Sequence, residues 1–260
     1  MDASTPPNGW TDPPQLFIVR RQGLRIPAGG LTISIDETGQ LSASLSRIEV
    51  SLDTSVMWLR IALDQLDQAR RAHASGVDAA RSGDDRVLGE SLESECAAGM
   101  LAISASAFAL DAFYAALKDR SPRVARIPLR SGDRRSTRYK IVGEAFRREF
   151  KVSGAGLVNL MSALSQVFQF RDYAVHPRAD FALPVLKAEV NRITEWRFVS
   201  FGAPSAQAAV RAALAILVQL VRVPRNPNAE VRGYLDGLAT SLDELARRWR
   251  AGYGRLTDTE

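Results

Sequence analysis

Arg171, Asp172 and His176 fall within six positions in the stretch FQFRDYAVHPRADF, Phe168 to Phe181, of a chain that has only two histidines. Arginine is a permanent planar cation that grips a phosphate through two parallel N–H bonds, and imidazole exchanges a proton near neutrality. The pair suits cleavage of a phosphodiester, one group meeting the charge on phosphorus while the other moves the proton. Asp172 is placed to orient the imidazole and raise its pKa as a nearby anion does, although a carboxylate also repels phosphate. Five positions span about 140° on an ideal helix, so an unbroken helix aims Arg171 and His176 at different surfaces. Pro177 disfavours helical dihedrals at His176. That break, or a second copy of the chain, has to make the two converge.

The elements around this stretch are mostly helical. Only residues 15–45 carry a strong strand signal: LTISID and LSASL alternate in period two around ETGQ, which predicts a small hairpin with Gly39 in its turn. From Ser46 the sequence SRIE matches a capping box, with Ser46 and Glu49 as its members, and Ile48, Leu52, Val56, Leu59, Leu63 and Leu66 continue at helical spacing. SGDD at 82–85 opens a second helix over 86–118, so rich in Ala and Ser that a neighbour can approach closely. Pro122, Pro128 and Gly132 break the chain into a loop, placed at 119–137. Helices follow over 138–151 and 156–174, then an irregular or weakly strand-like stretch to Gly202, then two more helices closed by Pro224 and by the C-terminal tail. The expected fold is mainly α: a bundle of five to six helices with a small N-terminal β-hairpin appendage. Its expected bounds are a loose tail over 1–14 that includes Trp10, the β appendage over 15–45, the helical domain over 46–252 and a tail over 253–260. The predicted core draws on Leu59, Leu63, Phe108, Leu110, Phe113, Leu160, Leu164, Phe168, Leu214 and Leu217.

Composition narrows the chemistry. Two histidines and one cysteine, Cys96, leave too few of the usual ligands for zinc and no internal disulfide, so no metal or other cofactor is expected. The stretch from Ala97 to Leu110 is diluted by Gly99, Ser104 and Ser106 and meets Asp111, short of the ~20 residues of a membrane span. With a polar, proline-rich N-terminus, this predicts a cytoplasmic protein with no membrane partner. Basic residues exceed acidic ones by 34 to 29, and Lys118 to Lys151 alone holds 12 basic against four acidic. Charge concentrated in this way is the footprint of a polyanion such as RNA, with Arg134, Arg135, Arg138 and Lys140, and Arg178 beyond the motif, as candidate contacts. The bland reading is a solvated arginine-rich loop, in a chain with 30 Arg and four Lys. GAGLVN at 154–159 lacks the third glycine of a dinucleotide loop, and no P-loop or Gly-x-Ser-x-Gly turn occurs. His73, in RRAHASG, reads as a cation at the end of the first helix.

RDYAVHP resembles the Arg, polar residue, variable residues, His signature of HEPN-domain proteins, a family of compact helical bundles. FALDAF is similar to that family's second bundle helix, which often presents an acidic residue, here Asp111. The resemblance covers residues 46–222. It implies a homodimer that pairs two motifs in one composite cleft and acts as a metal-independent endoribonuclease, commonly as a toxin or in antiviral defence, with a cognate antitoxin or regulatory protein as a further partner. Arg171 then holds phosphate, His176 is the general acid/base, Asp172 orients and Asp111 supports. The chain departs from the pattern in having Asp172 where asparagine is more usual, and in the residues from Arg178 to Gly202 before the next helix. Two other readings stay open: a non-catalytic HEPN-like module that binds RNA or protein, and a helical assembly protein in which Arg171 caps the fourth helix and His176 is a loop residue.

Overall fold

The computed structural model of the chain describes residues 22–25, 31–35, 39–45, 48–127, 138–175, 183–222 and 227–257. They fall into two units, Met1–Asp53 and Thr54–Glu260.

In the first unit β1 (Gln22–Arg25), β2 (Leu31–Ile35), β3 (Leu41–Leu45) and β4 (Glu49–Leu52) form two antiparallel pairs, β1 with β4 and β2 with β3. The expected hairpin is β2–β3: Leu31 lies opposite Leu45 and Ile35 opposite Leu41. Gly39 supplies a backbone at φ +80°, which costs a residue without Cβ little. The hydroxyls of Ser34 and Ser42 lie 2.7 Å apart across it. The expected capping box is overturned. Glu49 belongs to β4, paired with Arg25, and the first helix begins at Ser55. Ile48, Leu52 and Val56 are four apart and imitate a helical stripe, but the Gln22–Arg25 strand takes up the backbone groups of Glu49–Leu52, and an available partner outweighs a weak local preference. Ser46, Trp10 and the expected 1–14 tail lie outside the described residues.

The second unit is helical, as expected. α1 (Ser55–Ser82) and α2 (Asp85–Arg120) form a long antiparallel hairpin. Gly83 closes α1 at φ +77°, and the Asp84 carboxylate accepts the Val87 N–H at 3.0 Å to open α2. There follow α3 (Pro122–Ala125), α4 (Arg138–Phe150), α5 (Gly154–Val175), a small hairpin of β5 (Val185–Lys187) and β6 (Arg192–Thr194), α6 (Trp196–Ser200), α7 (Ala203–Arg222) and α8 (Ala229–Tyr253). Six helices are long and two short among the described residues. α3 occupies part of the expected 119–137 loop; 128–137 lie outside the description.

α2 is central, packed on α1, α5 and α7. Its buried face is Ala102, Ala105, Ser106 and Ala109, which brings neighbouring backbones close. At Gly99 a Cβ would stand 1.8 Å from the Phe201 carbonyl oxygen, so no side chain fits there. Nine of the ten predicted core residues are buried; Phe108 is not, but lies half-exposed on the rim of α2 with its ring 5.0 Å from Trp58. Each fully buried leucine contributes roughly 1.5–3 kcal/mol of transfer free energy. By length and composition α2 and α7 could each cross a membrane, contrary to the sequence expectation, but more than half of each apolar window is buried in the bundle. The fold also continues past residue 252: α8 runs to Tyr253, and Leu256 is buried.

The stretch expected to be irregular or weakly strand-like before Gly202 contains, among its described residues, the hairpin of β5 and β6 and the short α6. Val190 packs against Ala79 and Leu88, while Leu186 and Ile193, cross-strand partners, both face outward.

Candidate functional site

The arginine of RDYAVHP sits just before the last turn of α5, above the buried ring of Phe168, with its guanidinium carbon 5.0 Å from the ring centre. Its side chain is 17% exposed. Asp172 accepts from Arg171 Nε at 3.0 Å and from Nη2 at 2.5 Å, and Asp111 reaches Nη1 at 3.7 Å. Asp111 also accepts from Nε of Arg138 at 2.7 Å, and the Arg138 guanidinium covers the Tyr114 ring at 4.7 Å. Thus α2, α4 and α5 each send a charged side chain to one partly buried cluster. Two cations and two anions meet there and their charges balance. A phosphate arriving at Arg171 has to compete with Asp172, whose side chain is 53% exposed and free to swing toward water.

Of the residues singled out in the sequence, the structure brings Arg171, Asp172, Asp111 and Arg138 together. Lys140 is exposed on α4, on the stretch that follows Arg138. His176, Arg134, Arg135 and Arg178 lie outside the described residues, the first of them one position beyond the end of α5. His73 is not at a helix end: α1 continues nine residues further, and His73 Nδ1 lies 3.0 Å from Oε1 of the buried Glu95.

Sequence reading finds the basic segment Lys118–Lys151 but not the groove that the fold makes of part of it. Arg123 and Arg126 from α3 and Arg147, Arg148 and Lys151 from the end of α4 line a single groove of about 620 Å³, together with Pro122, Val152 and Ser153. No carboxylate among the described residues lines it. Part of the signal was in the spacing: Arg123 and Arg126 are three apart and Arg147 and Lys151 four apart, although Arg126 and Lys151 each stand one residue past their helix. Nothing in the sequence says that the two pairs meet. They are held together by Ser121, at the start of α3, which donates its hydroxyl proton to the buried Glu149 of α4. Glu144 lies on the same helix and binds Arg147 at 2.7 and 2.8 Å and Arg148 at 2.5 Å. The hydrogen bonds from Arg147 and Arg148 outweigh its partial burial and hold its carboxyl down at about 2.

Comparison of the chain with protein-family models, with curated proteins and with solved structures yields no match.

Proposed function

We propose that this protein acts on RNA as a metal-independent endoribonuclease of HEPN type, with Arg171 and His176 as its cleaving pair. The observation that carries the reading is the meeting of Asp111 with Arg171: the acidic residue of the alanine-rich second helix and the arginine of RDYAVHP, 60 residues apart, share one cluster. In this reading Asp172 holds Arg171 when the site is empty and yields it to phosphate. Internal attack by a 2′-hydroxyl needs a base near that oxygen, an acid near the leaving 5′-oxygen and a cation beside phosphorus. One protomer has one motif histidine; a two-fold dimer has two histidines and two arginines at a shared cleft. The setting is cytoplasmic, and a partner that covers the cleft would serve as the antitoxin or regulator.

The test is incubation of single-stranded RNA with the protein in EDTA. Cleavage is expected, with a 2′,3′-cyclic phosphate product and no attack on DNA. His176→Ala is expected to lower the rate by at least the ~100-fold that acid/base help supplies. A parent protein as inert as His176→Ala, both folded, would defeat the enzyme reading.

A second reading, a non-catalytic RNA-binding module, is favoured by the groove of five cations at the α3–α4 junction and by the neutralised state of Arg171. Salt-dependent RNA binding without any cleavage is its signature.

A further inference from the structure

A second constellation lies away from Arg171 and does not depend on the ribonuclease reading. Glu95 of α2 and Lys187 of β5 are each 3% exposed at the side chain and pair at 3.2 Å. Glu95 Oε1 accepts the Ala203 N–H at 2.8 Å and faces His73 Nδ1 at 3.0 Å. Lys187 also donates to the Phe198 carbonyl at 2.9 Å. The buried carboxylate is therefore answered on every side, and its contact with Nδ1 fixes the imidazole ring. The ring nitrogen not engaged by Glu95, Nε2, is left for a ligand. His73 lines a cleft of about 500 Å³ between α1 and α7 that also receives Arg70, Gln207 and Arg211, and no carboxylate among the described residues lines that cleft.

The two arginines are positioned by the end of α8 and the chain that follows it. Arg70 donates to the Gly252 carbonyl at 3.0 Å and lies over the Tyr253 ring at 4.7 Å. Arg211 donates from Nε to the Leu256 carbonyl at 2.9 Å. Fixing the guanidinium planes before a ligand arrives lowers the ordering cost of binding.

We propose that this cleft binds the phosphate group of a small phosphate ester through Arg70, His73, Gln207 and Arg211. A phosphate presents three non-bridging oxygens, which four donor-bearing side chains on two facing helices can divide, whereas a carboxylate presents two. The cleft is larger than a phosphate and has room for the body of the ester. When Nδ1 donates to Glu95, Nε2 of the neutral ring is an acceptor, so its contact with a phosphate oxygen carries one proton, held on the ring or on the phosphate. The charged groups that face this proton are Glu95 from α2, Lys187 from β5, Arg70 from α1 and Arg211 from α7.

The test follows the imidazole proton resonances of the full chain by NMR during titration with inorganic phosphate, AMP or acetate. The His73 signal is identified by its loss in His73→Gln. A saturable shift of that signal with phosphate and AMP is expected, unchanged in Arg147→Gln/Arg148→Gln, which alters only the other basic groove. Arg70→Gln is expected to weaken the titration tenfold or more. No saturable His73 shift, or a titration that Arg70→Gln leaves unchanged, would overturn the site. An equal response to acetate would overturn its assignment to phosphate.

Discussion

Asp111 is shared between Arg138 and Arg171, and removing its charge leaves two guanidinium groups facing each other at the end of α5. Asp111→Asn is therefore expected to destabilise the fold by about 1–2 kcal/mol, below the cost of breaking a fully buried pair because Arg138 is partly exposed. Urea unfolding measures it; an unchanged midpoint would show that solvent already screens the cluster. Asp172→Asn should act in the opposite direction on function. It removes the nearest competitor for Arg171 and is expected to tighten RNA binding severalfold at low salt, with little loss of stability. Asp111 and Arg171 were each legible in sequence as members of a candidate site, one in FALDAF and one in RDYAVHP. His73 was not, because its chain neighbours RRAHASG suggest a solvated helix end. Its partner Glu95 is 22 residues away and is reached only because α1 and α2 fold back at Gly83, which sets His73 ten positions before that turn and Glu95 twelve after it.

Helix by helix, the bundle was readable from apolar spacing, and the errors arose where two elements compete or converge. β4 was read as helix because its register to β1 is not local, and the groove of α3 and α4 went unseen because it belongs to neither helix. The join of α1 to α8 makes a prediction of its own. Asp67 accepts from the Tyr253 hydroxyl and, at 2.6 Å, from Arg248. Burial pushes the Tyr253 hydroxyl up to about 12, with the bond to Asp67 adding to it; at Asp67 burial works the other way, and the bonds from Tyr253 and Arg248 overcome it to lower the carboxyl. A phenol raised in the folded state contributes stability that is whole below its ordinary value near 10 and is lost as pH climbs toward 12. A lowered carboxyl contributes stability present above its ordinary value and lost as pH falls through the folded one. Denaturation across pH should show the alkaline loss in the parent and its absence in Tyr253→Phe. Gly99→Ala tests the packing of α2 against the turn before α7. The new methyl meets backbone, not a movable side chain, and overpacking of this kind costs about 1–3 kcal/mol. A thermal midpoint equal to that of the parent would mean that the turn gives way freely.

At the scale of the molecule, the α3–α4 junction gathers Arg123, Arg126, Arg147, Arg148 and Lys151 at one groove, and the salt dependence of RNA binding should report it. Replacing Arg123, Arg126, Arg147 and Arg148 by glutamine is expected to weaken binding alike for all sequences and to flatten the log–log salt slope by about 0.7 for each single-strand phosphate that is no longer neutralised. An unaltered slope would move RNA away from this groove. The insert between α5 and α7 has a different consequence, one of timing. Across its hairpin, residues 183–194, the buried residues are Lys187 and Val190, while Leu183, Leu186 and Ile193 face solvent. A segment so lightly tied opens far more often than the bundle unfolds. Amide protons of β5 and β6 should exchange with deuterated solvent well ahead of those in the middle of α2, and each opening draws Lys187 away from Glu95. The carboxylate that orients His73 would then lose its partner and regain it at the rate at which that small hairpin lifts and settles.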